Sequence, residues 1–155
     1  RDVPLLFAYD PSLPKEERRE IELRRAHLDA DIPRCYVAID LRNEEPCYMQ
    51  WLMGPDENSR IQEFFQGRFP VLGKNEALLE NAYTPVKYRG KGIMPAAMAM
   101  IAEHAREFDA RYVVTFVAQD NVPSLKGCKK AGFEPYLLRH DRQYCFRLFR
   151  TRKFE

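Results

Sequence analysis

The sequence has no apolar run approaching the roughly 18 residues of a membrane span, and no signal peptide is visible. It has no Cys-x-x-Cys pair and no nearby Cys/His cluster; Cys35, Cys47, Cys128 and Cys145 are scattered. That spacing argues against zinc or another metal and for reduced thiols in a cytoplasmic protein. An excess of one charge is missing too. The net charge is +2, and no basic stripe alternates with aromatics, which argues against a nucleic-acid partner. Internal repeats, low-complexity tracts and interdomain linkers are absent. The chain starts at Arg1 without a methionine, which leaves room for an earlier segment.

What is present suits a single domain over residues 1–155, long enough to bury a core without staples. Val3 to Tyr9 reads as a first strand. A densely charged helix follows, from Ser12 as a possible cap to about Ala30, with Ile21 and Leu28 as its clearest buried positions. Its Arg24-Arg25 pair reads either as a site for an anionic substrate or as part of a solvated, ion-paired face. Cys35 to Ile39 and Cys47 to Met53 predict a hairpin. Residues 54–75 are a long excursion with a short helix near Ser59 to Gln66. Trp51, Phe64, Phe65 and Phe69 either line a substrate pocket or anchor this excursion to the core.

Glu76 to Tyr83 predicts the next strand, ended by Pro85. A helix from about Met94 to Phe108 carries Ala97, Ile101, Ala105 and Phe108 on one stripe. Tyr112 to Ala118 is almost continuously apolar and reads as a strand covered on both faces. Strand, helix and strand in this order predict a right-handed crossover between parallel strands. Asp120-Asn121 caps a short helix with Pro123 in its first turn and Gly132 after its end. Tyr136 to Leu138 and Gln143 to Phe149 read as a closing hairpin, and the basic residues from Arg147 to Lys153 as a charged edge strand.

The informative stretch is Tyr83 to Ile93. A strand passes through Gly90-Lys91-Gly92 into a helix start, where free N–H groups and the positive end of the helix dipole favour a diphosphate. The second is Asp120 to Phe133, an Asn opening a helix that ends in a Gly-Phe pair. Together, in this order and separation, Thr84 to Ile93 and Asp120 to Phe133 resemble the coenzyme A loop and the later signature of the GNAT acetyltransferase superfamily. The resemblance covers about residues 76 to 135. It implies an α/β fold with a mixed, mostly antiparallel central sheet, two splayed parallel strands and flanking helices. It implies acetyl-CoA as acyl donor, held in the splay. On this resemblance, backbone groups at Ala82, Tyr83 and Thr84 face the pantetheine arm. The N–H groups from Arg89 through Gly90, Lys91 and Gly92 to Ile93 hold the diphosphate, with Arg89 and Lys91 adding charge. Asn121 bonds the pantetheine, and Ser124 lies one turn further along.

Two positions depart from the family pattern. Lys87 stands where Gln or Arg often opens the loop. Cys128 stands where many members carry the Tyr that protonates the departing thiolate, leaving a poorer donor in that place. Water or a tyrosine elsewhere, such as Tyr136, is the other source of that proton. The implied reaction is direct transfer of acetyl to an amine, which needs a base. Glu80 and Glu76 are the carboxylate candidates. Regular alternation puts both on one face with Leu78 between, and Glu80 is nearer the bend. His27, His104 and His140 have no supporting pattern, and His104 reads as a surface residue. The aromatic excursion favours a small-molecule amine. A protein N-acetyltransferase or a non-catalytic acetyl-CoA sensor are the alternatives, and a homodimer is possible.

Overall fold

Strand Glu45–Met53 is the centre of the molecule, because its side chains alternate between two apolar layers and nearly every one is buried. Met49, Trp51 and Met53 join one layer; Tyr48 and Leu52 join the other. The computed structural model describes residues 11–144 and 149–154. The strand expected at Val3 to Tyr9 and the residue Cys145 lie outside them.

In chain order the elements are α1 (Lys15–Asp29), β1 (Cys35–Asp40), β2 (Glu45–Met53), α2 (Asn58–Phe64), β3 (Glu76–Tyr83), α3 (Ile93–Glu103), β4 (Tyr112–Val114), α4 (Val122–Lys130), β5 (Arg139–Tyr144) and β6 (Phe149–Phe154). One sheet runs β1-β2-β3-β4, antiparallel except for the parallel β3–β4 pair. Among the described residues β5 and β6 pair only with each other. Helix α1 and the excursion cover one face, through Ile21, Leu28, Phe64 and Phe65. Helices α3 and α4 cover the other, through Ala97, Met98, Ile101 and Cys128. No helix of the described residues is long and apolar enough to cross a membrane.

Several boundaries differ from expectation for identifiable reasons. Pro14, not Ser12, stands at the start of α1, and no side chain caps that helix. The α3 pattern holds to Ala105, but the last turn tightens into a 3-10 segment from His104 to Phe108. Strand β4 is short: Tyr112, Val113 and Val114 pair with Glu76, Ala77 and Leu78, and the ladder stops there. Residues 115–118 continue without ladder bonds; 115–117 are half-buried and Ala118 is exposed, so they are not covered on both faces, because β3 turns away from them. The closing strands begin later than Tyr136, which is exposed.

The turn away has a local cause. Trp51 pairs with Glu80 and Met49 with Tyr83, so between them one residue of β2, Gln50, faces two of β3, Asn81 and Ala82. The extra residue is a β-bulge, and Asn81 takes a left-handed backbone there at φ 61°. Asparagine is among the few side chains that tolerate this region. The bulge also breaks simple alternation. Glu80 and Tyr83, an odd number apart, both stand opposite residues of the Trp51 layer.

Candidate active site

The diverging ends of β3 and β4 enclose a cleft of about 160 Å³. Glu80, Ala82, Asn121, Ser124 and Cys128 all line it, so five of the expected site residues converge from two segments, β3 and the Asn-capped α4. Glu76 does not. It stands at the start of β3, where its carboxylate accepts a hydrogen bond from the Gly73 N–H at 2.8 Å and closes the preceding turn. Alternation does put Glu76 and Glu80 on one face, but the strand's length separates their surroundings.

Glu80 is half-buried, and its carboxylate accepts from the backbone N–H of Asn81 at 3.0 Å and of Phe116 at 3.4 Å. Burial dominates over these bonds and lifts its pKa to about 7. Arg24 and Arg139 pull in the opposite direction by their charge. The result is a carboxylate that gains and loses a proton near neutrality, as a general base requires. Cys128 is buried on α4, and burial followed by the charge of Glu80 pushes its thiol above the ordinary range. It therefore keeps its proton at neutral pH.

The glycine turn leaves open space at an uncapped helix start. Gly90 and Gly92 have φ of 75° and 76°, and nothing lies within 4 Å of where a side chain would begin. Gly92 stands immediately before α3, no side chain caps that helix, and the turn is exposed. Tyr88 is buried beneath it and bonds Glu45 at 3.0 Å, fixing the loop to the β1–β2 hairpin. Lys87 pairs with Glu45, and the Lys91 ammonium lies over the Tyr88 ring at 5.1 Å. Asn121 caps α4, accepting from the Ser124 N–H at 3.2 Å.

Helix α1 supplies what sequence reasoning missed. Its buried residues are Glu17, Arg24 and His27, whereas Ile21 and Leu28 are half-buried. Each polar side chain meets one residue of the bulged strand. The Tyr83 hydroxyl donates to Glu17 at 2.7 Å; Arg24 Nη2 donates to the Ala82 carbonyl at 2.7 Å; His27 Nδ1 lies 2.8 Å from the Asn81 amide nitrogen. Arg89, expected to add charge to the phosphates, is half-exposed; it pairs with Glu17 at 2.7 Å and donates to the Thr84 carbonyl at 2.9 Å. Two of the carbonyls expected to face a pantetheine thus accept from arginines. Tyr83 turns its ring to α1 and does not line the cleft. The available signal was the spacing of Glu17, Arg24 and His27, which share one helical stripe.

Trp51, Phe64, Phe65 and Phe69 anchor the excursion. Trp51 is fully buried and donates to the Ile32 carbonyl, and the phenylalanines pack edge to face on one another. His27 sits among Trp51, Phe64 and Phe65 at centroid distances of 4.5 to 5.2 Å, and burial lowers its pKa to about 4. Gln50, also unanticipated, lines the cleft from β2 and is oriented by the Tyr48 hydroxyl. His104 is exposed and meets Glu107 at 2.7 Å, in line with a surface role.

Residues 79–134, the segment holding the splay, the glycine turn and the Asn-capped helix, match the acetyltransferase (GNAT) domain family. This segment, about a third of the chain, is thus similar to the GNAT acetyltransferase domain. The fold of the chain agrees. It is similar to an acetyltransferase-family protein from Bacillus subtilis at 18% identity and a TM-score of 0.52, covering 86% of this chain and 78% of that one. One from Agrobacterium tumefaciens matches at 17% identity and a TM-score of 0.51, covering 87% and 88%. A GNAT-family protein from Bordetella pertussis matches at 19% and 0.50, covering 92% and 82%. No curated protein sequence matches this one significantly.

Proposed function

We propose that this protein transfers the acetyl group of acetyl-CoA to the amine of a small molecule, with Glu80 as general base. The observation that carries the reading is Glu80 itself, a carboxylate in the splay with a pKa lifted to about 7. The residues fit the donor. Exposed glycines at 90 and 92 with open space around them would admit a diphosphate at the start of α3, and Asn121 and Ser124 would meet the uncharged arm.

The acceptor arrives as an ammonium ion and must lose a proton before its nitrogen can attack. Glu80 takes that proton. The new C–N bond forms as the C–S bond breaks, the nitrogen sheds its second proton to solvent to become the neutral amide, and the thiolate is protonated on leaving. Cys128 holds a proton in the same cleft and is one source; water is another. Calorimetry with acetyl-CoA tests the donor, and thiol release across a panel of small amines tests the transfer. Binding of acetyl-CoA at micromolar to millimolar levels with turnover of at least one amine is the expected result. Binding without turnover of any amine would make the chain a coenzyme sensor instead, and acetylation of protein N-termini alone would replace the small-molecule acceptor.

A further inference from the structure

Gln50 is a polar residue between the two apolar layers, and only 1% of it is exposed. It lies on β2 opposite the bulge at Asn81 and Ala82, and it lines the cleft. Alternation sends its side chain the same way as Tyr48 and Leu52, toward α3 and α4. The Tyr48 hydroxyl donates to its Oε1 at 2.5 Å. Burial, followed by the charges of Cys128 and Glu80, holds that hydroxyl's pKa far above its ordinary value, so the proton it donates stays in place. This bond decides which way the amide points. Turned over, the amide would offer Tyr48 an N–H and leave the buried hydroxyl proton without an acceptor.

The Gln50 Nε2 is left without a partner among the described residues. Arg24 Nε and His27 Nε2 are unpartnered and shielded; Gln50 Nε2 is not shielded, and its open surface faces the cleft. The buried residues on the lining are Arg24, Gln50, Met98 and Cys128. Arg24 is engaged by Glu20 and the Ala82 carbonyl, methionine has no proton to give, and a thiol is a weak donor. Two backbone donors of the splay are taken as well, since the Asn81 and Phe116 N–H groups bond the Glu80 carboxylate. A buried amide whose donor side is unmade is unfavourable, and an oxygen of a ligand in the cleft would complete it.

The transfer reaction makes such an oxygen. As the amine nitrogen closes on the carbonyl carbon, the C=O electron pair shifts onto the acetyl oxygen, and it returns as the C–S bond breaks. A fixed donor in a space with little water favours that charged oxygen over the starting carbonyl. An amide is also uncharged, so it leaves the raised proton affinity of Glu80 in place, which a free cation at this spot would lower.

We infer that Gln50 is a catalytic residue whose Nε2–H donates to the acetyl carbonyl oxygen of the bound thioester and stabilises the negative charge that grows there, with Tyr48 as its positioning residue. The inference rests on the acetyl-transfer reading above.

The test binds acetyl-CoA, with and without a heavy carbon isotope at the carbonyl, to the protein in the absence of any amine and takes the infrared difference spectrum. In the wild type the thioester C=O band should lie below its position in an apolar solvent, because a hydrogen bond weakens the C=O bond. In Gln50→Met, which keeps the length and removes the donor, the band should move back up. Thiol release with a responsive amine should show kcat about 10²- to 10³-fold lower in that variant, with the calorimetric affinity for coenzyme A unchanged. Tyr48→Phe lets the amide turn and should lower kcat only about two- to tenfold. A wild-type band at the apolar position would overturn the proposal, and that result stands even where the variants fail to fold. So would a wild-type band and kcat in Gln50→Met, or a loss confined to coenzyme A affinity or to KM for the amine, since Gln50 would then hold the arm or the acceptor. Amine turnover without a band shift sinks only this inference, whereas absence of acetyl-CoA binding sinks the reading beneath it and this inference with it.

Discussion

The two halves of the proposed site are made of different material. The proposed coenzyme half, from the glycine turn to the Asn-capped helix, offers mostly backbone: N–H groups at a helix start and two glycines in left-handed conformations. The proposed acceptor half, in the cleft, offers side chains from elements far apart in sequence, with Arg24 on α1, Gln50 on β2, and Glu80 and Asn81 on β3. Backbone sites tolerate side-chain exchange except where a side chain must not exist. Side-chain sites fail when one functional group changes. The halves should therefore break in opposite ways.

The largest effect is expected at Gly92. Gly92→Asp puts a negative charge and a strained side chain at φ 76°, and should abolish acetyl-CoA binding by calorimetry. Gly92→Ala separates strain from charge and should cost only about 1 kcal/mol of stability in a chemical melt. Retention of coenzyme affinity by a folded Gly92→Asp protein would place the diphosphate elsewhere.

On the acceptor side, Glu80→Gln should keep coenzyme affinity and lose about 10²- to 10⁴-fold in turnover. The wild-type kcat/KM should rise with pH through about 7, the pKa of Glu80, and the variant should lack that limb. Wild-type rates in Glu80→Gln would remove the base from this residue.

The same residue makes a stability prediction of definite sign. The folded pKa of Glu80 is raised from 4.5 to about 7, so its favourable contribution is intact below about 4.5 and is lost as pH rises through 7. At pH 8 its ionised form costs about 3 kcal/mol, so Glu80→Gln should be more stable than wild type there and equal to it at pH 4. His27 works in reverse. Its folded pKa is lowered from 6.5 to about 4, so stability is intact above 6.5 and falls as pH drops toward 4. His27→Phe should lose that acid-side decline of about 3 kcal/mol. Between 4.5 and 6.5 the two slopes oppose each other, and denaturant titrations should find the wild type nearly flat where each variant tilts. Equal slopes in all three proteins would contradict both assignments.

The smallest effect is expected at Arg89. Its guanidinium is half-exposed and tied to Glu17, so Arg89→Gln should weaken coenzyme binding only about two- to fivefold, as for a surface ion pair. A hundredfold loss would mean that side chains, not backbone, carry the coenzyme half.

Legibility in the sequence followed the same division. The glycine turn, the Asn121 cap and the α3 stripe were readable because each depends on neighbours within a few residues, where spacing is geometry. Glu80 was readable as a strand residue near a bend. Its separation from Glu76 was not, because alternation gives the face and not the neighbourhood. Cys128 was placed by its distance from Gly132, and the structure puts it in the cleft.

By itself the sequence determined the local frame: the two motifs, the strand–helix–strand order between them, and through these the resemblance to the GNAT domain over residues 79–134. The tertiary structure decided what α1 is for. Its charged residues fit a solvated helix equally well, since a polar stripe has the same period whether it meets water or a buried carbonyl. Only the bulge at Asn81, an insertion measured against the β2 register, turns β3 so that Asn81, Ala82 and Tyr83 meet His27, Arg24 and Glu17 in turn. Register is a relation between strands, and contact between α1 and β3 spans more than fifty residues of chain. No local pattern encodes either, so the α1 side of the cleft became visible only once the chain had folded.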